Sequence, residues 1–389
     1  MFNSTTSFNL LTPVYIGIDA HTTNYTLSSL VKRRIGSKGN ETNLPVLSTQ
    51  TLAPELKSIL KYCEECRKEV PNCTIFCAYE AGSLGYTLQR QLMAHGIDCV
   101  IMAPSTMVQS VRGKKFKNDK RDSWHIAECL ASGGYSAVYI PDEHDEDIRG
   151  YLRMRDDHMD SLKRKKQQLN AYLLTLDIPR YTGKTKWTQA HRRWISGLDV
   201  SDMQKETIQE YMATITWLED KISALDENIK TLSQQDRYAT RVAYLRCFLG
   251  MEYNQALRLL VEVGDFKRFK KAGNFAAFLG LTPSDHSSSD NNNHGALTKA
   301  GNNALRKMIV ESCQSGFSVG KPGFKSKALK ARQKGCPAEV VAYADKGNVR
   351  LRRRFKRLIA RQKERNKAIG AVAREYACFI WGMMTGHID

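Results

Sequence analysis

The spacing of apolar positions changes period twice along the chain and divides it into three stretches, 1–141, 142–236 and 237–389. In the first, short apolar runs alternate with helix-forming segments. Val14-Tyr15-Ile16-Gly17-Ile18-Asp19 reads as a strand ending on a carboxylate, with Tyr25-Thr26-Leu27-Ser28-Ser29-Leu30 as its hairpin partner. Thr74-Ile75-Phe76-Cys77-Ala78-Tyr79-Glu80 reads as a second buried strand, again ending on a carboxylate. Helical patterns over 54–70 and 84–95, and a strand from Asp98 to Met102 closed by Pro104, complete an α/β order. Open sheets bind ligands at the carboxyl ends of their strands, which is where Asp19 and Glu80 stand.

In the second stretch Ile148, Leu152, Met159, Leu162, Leu169, Leu173 and Leu176 fit a 4-3 repeat, with Arg155 and Lys166 at two of its seam positions. A second repeat, Ile208, Tyr211, Ile215, Leu218, Ile222, Leu225, Ile229 and Leu232, has no break. Such seams predict a coiled coil, formed either as an antiparallel hairpin within the chain or as a dimer contact. The third stretch is mainly helical, with turns at Gly250, Gly264 and Gly280, and holds the polar segment 284–295, rich in Ser, Asp and Asn. Ordered-looking sequence flanks this segment on both sides, so it is expected to be a loop held at its two ends, and loops of that kind carry function.

A length of 389 residues supports more than one core, and 42% hydrophobic with 25% charged residues describes a soluble globular chain. No run approaches the roughly 18 apolar residues of a membrane span, and Met1-Phe2-Asn3-Ser4 lacks the basic start of a secretory signal. The expectation is a cytoplasmic, nucleoid-associated protein with no membrane partner. Cys63, Cys66, Cys73 and Cys77 read as buried reduced thiols rather than a zinc site, because the first two fall in a predicted helix and the others flank a strand.

Charge changes the picture more. The formal net charge is +19, and between Lys321 and Lys367 seventeen Lys and Arg face three acidic residues. Within that run, Leu351-Arg352-Arg353-Arg354-Phe355-Lys356-Arg357-Leu358-Ile359 keeps apolar residues at helical spacing, which predicts a folded basic helix on phosphates rather than a disordered tail. Against this basic background Asp19, Glu80, Asp119 and Asp122 stand out. Asp119 and Asp122 are three apart, on one face of a helix, and Lys114, Lys115, Lys117, Lys120 and Arg121 surround them. Phosphoryl transfer commonly uses paired divalent ions, and hard Mg²⁺ or Mn²⁺ selects carboxylate oxygens, so the four acids read as a metal site acting on a polyanion.

Tyr15-Ile16-Gly17-Ile18-Asp19, Tyr79-Glu80-Ala81-Gly82, Lys117-Asn118-Asp119-Lys120-Arg121-Asp122 and Trp124-His125-Ile126-Ala127 resemble the RuvC-like (RNase H-like) DEDD domain of insertion sequence 110 family transposases, related to Piv DNA invertases. Gly250-Met251-Glu252, Glu262-Val263-Gly264-Asp265, Phe278-Leu279-Gly280-Leu281-Thr282-Pro283-Ser284 and Thr298-Lys299-Ala300-Gly301-Asn302 are similar to that family's C-terminal transposase domain. The likeness runs from about Val14 to Phe379-Ile380-Trp381. Two departures stand out: Ser289 follows Ser288 where the family usually has glycine, and Glu252 interrupts a glycine pattern.

The resemblance implies an α/β plus α architecture: a RuvC-like domain over 1–141, a coiled-coil insert over 142–236 and a mainly helical C-terminal domain over 237–389. It implies a bridge-RNA-guided DNA recombinase that joins donor and target DNA through a phosphoserine, assisted by Mg²⁺ or Mn²⁺ on Asp19, Glu80, Asp119 and Asp122. The nucleophile is one of Ser287, Ser288 and Ser289, and register against Gly280 and Gly301 favours Ser288. Ser288 lies far beyond Asp122 in sequence, so the active site is expected to be composite, in a homodimer or homotetramer. Lys299, Asn302, Arg306, Arg352, Arg353 and Arg354 are further expected phosphate contacts. Two other readings stand beside this one, a metal-dependent junction nuclease that uses water and a non-catalytic nucleic-acid scaffold.

Overall fold

A computed structural model describes residues 12–31, 46–82, 84–107, 118–285 and 294–388. The chain forms two compact units, 1–140 and 141–389. The first comprises β1 (Thr12–Ala20), β2 (Tyr25–Val31), β3 (Val46–Leu52), α1 (Leu56–Glu69), β4 (Cys73–Glu80), α2 (Thr87–Ala94), β5 (Asp98–Met102) and α3 (Asp119–Ser132). The sheet order is β3-β2-β1-β4-β5; β1 pairs antiparallel with β2 and parallel with β4, and β4 pairs parallel with β5. This mixed sheet is compatible with the RuvC-like expectation. Edge strand β3, Val-Leu-Ser-Thr-Gln-Thr-Leu, is absent from the pattern-based reading: polar residues occupy its middle, where apolar alternation would have announced a strand.

Alternation along the strands assigns the faces. Val14, Ile16 and Ile18 of β1, with Ile75, Cys77 and Tyr79 of β4, join a core with Ile59 and Tyr62 of α1 and Leu88 and Leu92 of α2. Cys63, Cys66 and Cys99 are buried in that same core as free thiols. The odd positions, Tyr15, Gly17 and Asp19, take the other face, as do Phe76, Ala78 and Glu80, and α3 covers it through Ile126, Cys129 and Leu130. Helices on both faces leave β2 wholly buried, and its hydroxyls find partners there: Ser28 Oγ lies 2.8 Å from Ser123 Oγ of α3 and 2.9 Å from Thr49 Oγ1 of β3.

The second unit comprises α4 (Glu143–Leu174), α5 (Gln189–Ser196), α6 (Asp202–Ser233), α7 (Asp236–Leu245), α8 (Tyr253–Val263), α9 (Ala272–Phe278), β6 (Pro283–Asp285), β7 (His294–Leu297), α10 (Asn303–Gly316), α11 (Lys327–Gln333), α12 (Ala338–Ala360) and α13 (Arg365–Thr385). The 4-3 repeats become α4 and α6, which pack antiparallel within the chain. Leu162, Leu169 and Leu173 bury against Ile208, Ile215, Leu218 and Ile222. The two charged seam positions have cross-helix partners: Arg155 donates twice to Asp226 at 2.9 Å, and Lys166 Nζ reaches Glu219 at 2.7 Å. These pairs fix the register of the two helices at the points where the apolar pattern breaks. Met159 is 39% exposed and lies outside the seam.

Towards its root the helix pair merges into the C-terminal core, where Ile148, Leu152 and Ile229 share one cluster with Phe248, Leu260 and Tyr376. Buried Arg149 donates to the carbonyls of Val261 (2.7 Å) and Glu262 (3.3 Å), and Arg258 donates to that of Leu152 (2.9 Å). At the far end, Tyr181, Trp187 and Trp194 surround buried His191, with ring centroids 4.6, 5.5 and 5.5 Å from its own. Trp187 adopts a left-handed backbone and donates its N–H to His191 Nδ1 at 3.1 Å. Among the described residues no helix is long and apolar enough to cross a membrane.

Burial, with Lys186 and Arg192 nearby, lowers the His191 pKa from its usual 6.5. Protonation would also place a proton on the nitrogen that accepts from Trp187. For a histidine lowered on folding, the stabilising contribution is complete above the unfolded value and is lost as the pH falls below it towards the folded one. Amide hydrogen exchange across 181–196 is therefore expected to accelerate, relative to the middle of α6, on going from about pH 7.5 to about pH 5.5.

Candidate functional site

The site begins at Gly17. A Cβ there would lie 2.0 Å from the Ser123 carbonyl oxygen and 2.4 Å from the Ala127 nitrogen, so only glycine lets the α3 backbone rest directly on β1. Ser28–Ser123 anchors the same crossing. Asn118 caps α3 by accepting from Lys120 N at 3.1 Å, so the first helical turn, with Asp119 and Asp122, starts beside the end of β1. Asp19 is the position after Ile18, the last residue paired with β4, and Glu80 follows its partner Tyr79. The two carboxylates therefore end neighbouring parallel strands on the face that α3 covers.

Asp19, His21 and Asp119 each offer a ligand atom within 4.8 Å of the others. His21 lies in the β1–β2 turn, which its N–H closes on the Asn24 carbonyl at 3.0 Å. Its Nε2 is 3.3 Å from Asp19 Oδ2, a contact we take as electrostatic, because that buried oxygen has no aligned hydrogen-bond donor. Burial pushes the Asp19 pKa up; His21 opposes the rise, and the Asp119 and Asp122 carboxylates add to it. Asp122 is thus within electrostatic reach of Asp19, while Glu80 is exposed at the adjoining strand end, and both lie outside the 4.8 Å group. The sequence reading missed His21. Its available signal was Asp19-Ala20-His21, whose outer residues share a face of extended chain.

A second constellation lies in the C-terminal unit. β6 and β7 pair antiparallel, Pro283 with Leu297 and Asp285 with His294. Below them Thr298 N donates to Thr282 O at 2.9 Å, Lys299 N to Gly280 O at 3.3 Å and Asn302 N to Phe278 O at 3.1 Å. Both glycines are required by this approach: a Cβ on Gly280 would meet Ala300 O at 2.6 Å, and one on Gly301 would meet Phe278 O at 2.1 Å, each at positive φ. The segments flanking the expected loop are thereby paired with each other, while 286–293 lie outside the described residues. Ser287, Ser288 and Ser289 lie outside the described residues, as do Lys114, Lys115 and Lys117.

The other expected phosphate contacts divide. Lys120, Arg121, Lys299 and Arg353 are exposed. Asn302 caps α10 by accepting from Leu305 N at 3.0 Å, and its amide donates to Glu262 Oε2 at 3.1 Å. Arg306 donates to Leu279 O at 3.2 Å and to Asn303 Oδ1 at 2.6 Å. Arg352 is buried and donates to the carbonyls of Gly316, Lys321 and Phe324 at 3.1–3.2 Å, joining three turns of chain. Arg354 Nε lies 3.0 Å from Glu375.

Residues 16–177 match a DEDD transposase model of the IS110 type, described as Transposase, and residues 243–328 match one described as Transposase IS116/IS110/IS902 family. The chain is 31% identical over 360 residues to the Leptospira borgpetersenii "Transposase for insertion sequence element IS1533", covering 90% of this chain and 98% of that one. The chain belongs to the IS110 transposase family. It is also similar, at 22% identity over 228 residues (58% of this chain, 61% of the relative), to the Coxiella burnetii "Transposase for insertion sequence element IS1111A".

For an IS110-family transposase with a DEDD domain, a divalent cation is the implied cofactor, and the residues present fit one. Asp19 Oδ2 is a buried acceptor without a hydrogen-bond donor, beside an imidazole and a second carboxylate. Among the described residues, Asp19, His21 and Asp119 form a group able to hold the ion, with Asp122 adding negative charge. In this transposase Glu252 does not break the structure: it caps α8 together with Gln255 and pairs with Arg332.

Gly17→Ala is expected to lose about 1–3 kcal/mol of stability in urea denaturation, the usual cost of forcing a methyl into a closed contact, and to weaken Mn²⁺ binding because α3 must move. At Asp19 the sign follows from the raised pKa. A carboxyl whose folded value exceeds its unfolded one opposes folding increasingly as the pH rises through that interval, and the cost is complete above the folded value. Metal-free Asp19→Asn is therefore expected to melt above wild type at neutral pH. Mn²⁺ should raise the melting temperature of wild type and leave that of the variant unchanged, as read by thermal scans with chelator and with ion.

Proposed function

We infer that the chain is an RNA-guided DNA recombinase that cuts and rejoins donor and target DNA through a phosphoserine on Ser288. The observation that supports this reading is the approach of the two segments that flank 286–293: β6 pairs with β7, and Gly280 and Gly301 lie in backbone contacts with no room for a side chain, in a family whose members are transposases. A nucleophile requires a defined position, and the reading assigns that role to Ser288, between these paired segments.

In the proposed chemistry Ser288 Oγ attacks a backbone phosphorus, and the bond from phosphorus to one bridging oxygen breaks. The hydroxyl proton leaves to solvent or base, and the freed strand end takes up a proton. Attack by the new strand's hydroxyl reverses these steps and regenerates serine, so no high-energy cofactor is consumed. A bound divalent ion supplies Lewis-acid stabilisation of charge developing on the phosphate. This chain's own part is to hold that ion with Asp19, His21 and Asp119, with Glu80 and Asp122 shaping the field, and to bring phosphate towards it with Lys120 and Arg121 at the start of α3. In the reading the acidic pocket of the first domain (1–141) and the serine of the third (237–389) act on one phosphate. Copies assemble into a dimer or tetramer through the domain 142–236, on faces other than the apolar seam that α4 and α6 bury against each other, so that one copy completes another's site. Sequence choice then belongs to base pairing with a bridge RNA, and the protein reads backbone and shape.

The test incubates the full chain with its co-purified RNA, donor and target DNA and Mg²⁺. Wild type is expected to form a covalent protein–DNA adduct that maps to Ser288, and Ser288→Ala is expected to lose both adduct and strand joining. Metal-dependent hydrolysis that persists in Ser288→Ala would instead establish the water-using nuclease, and unchanged function in Asp19→Asn would establish the scaffold.

A further inference from the structure

The polar positions of α12 sort by helical phase into two sets with different work. Leu351 and Phe355 enter the core, and Arg352 is buried among backbone carbonyls. Lys346, Arg350, Arg353 and Arg357, spaced four, three and four apart, form one exposed stripe. The stripe lines a groove of about 650 Å³ together with Arg354, Val349 and the two carboxylates Asp345 and Glu375.

Those carboxylates do not neutralise the groove. Asp345 is bridged by Lys325 and accepts from Gln333 at 3.0 Å. Glu375, only 15% exposed, accepts from Arg350 and so orients that guanidinium at the groove wall, and it stands 3.0 Å from Arg354 Nε as an ion pair. Arg353 and Arg357 have no carboxylate within ion-pairing distance among the described residues. Since Leu351, Arg352 and Phe355 fix the helix's rotation, the four cations are held on the outside of a rigid element.

We propose that this face of α12 is a track for a nucleic-acid phosphodiester backbone, with Lys346, Arg350, Arg353 and Arg357 as its phosphate contacts and Glu375 as the residue that positions Arg350. From Lys346 to Arg357 the stripe rises through eleven steps, about 16 Å at 1.5 Å per residue. One strand of a duplex presents a phosphate about every 3.4 Å of axis, so this length spans about five phosphates of one strand. The contacts carry no base reading, in keeping with a protein that leaves sequence choice to pairing. The proposal rests on the nucleic-acid reading above and moves the contact residues from the contiguous 352–354 run to the stripe.

The test measures the salt dependence of binding for the full chain, using a fluorescent DNA duplex and, separately, an RNA hairpin. It compares wild type, Arg353→Gln with Arg357→Gln, and, as a control of equal charge loss, Lys327→Gln with Lys330→Gln on α11. All these positions are exposed, and an unchanged melting temperature verifies the fold. On whichever nucleic acid uses the track, the stripe double variant should reduce the slope of log K against log salt by about two, near one per lost contact. The control should keep the wild-type slope. A wild-type slope in the stripe variant on both ligands, or an equal fall in the control, overturns the track while leaving the recombinase reading standing. Wild-type chain that binds neither ligand overturns that reading as well.

Discussion

The contact between the α3 backbone and Gly17 is the constraint from which the first unit takes its chemistry. With any side chain at that position the helix would stand off from the sheet, and its first turn would move with it. Because the approach is backbone to backbone, the distance between Asp19 and the Asp119 turn is set by covalent geometry and by the buried Ser28–Ser123 hydrogen bond rather than by flexible side chains. The arrangement works against itself in the absence of a cation: negative charges converge on a half-buried Asp19 whose Oδ2 lacks a hydrogen-bond donor. A site that opposes its own ionisation stores an affinity for positive charge, and this is the physical content of reading it as a metal site.

The second unit shows the same economy of contacts around Glu262. Its carboxylate accepts from Asn302, which caps α10, and is reached by Arg153 of α4 at 3.4 Å. Its backbone carbonyl accepts from Arg149, also on α4. The root of the long helix pair and the start of α10 therefore meet at a single side chain, 8% exposed.

Much of this was legible in the chain, and the reasons differ by element. β1, β2, β4 and β5 announced themselves because buried strands need apolar or hydroxyl residues along their length, and α4 and α6 because a sustained 4-3 seam, unbroken in α6, has few other meanings. Arg155 and Lys166 looked like faults in that seam, since their partners Asp226 and Glu219 lie many residues away. β3 was hidden by its polar middle, and His21 by its place just past the end of β1, where its spacing of two from Asp19 is the one mark it carries. In the basic run, adjacency in sequence was misleading: Arg352, Arg353 and Arg354 are neighbours in the chain, yet they point respectively into carbonyls, to solvent and towards Glu375. Helical phase separates them, and phase becomes usable once the buried side of the helix is known.

The most direct measurement is pulsed electron paramagnetic resonance of Mn²⁺ bound to the purified full chain. The account predicts nitrogen modulation from one directly coordinated imidazole, present in wild type and absent in His21→Gln. Mn²⁺ that shows only oxygen and water coordination in wild type, or a nitrogen signal that survives His21→Gln, would contradict the claim that α3 on Gly17 builds a cation site from Asp19, His21 and Asp119.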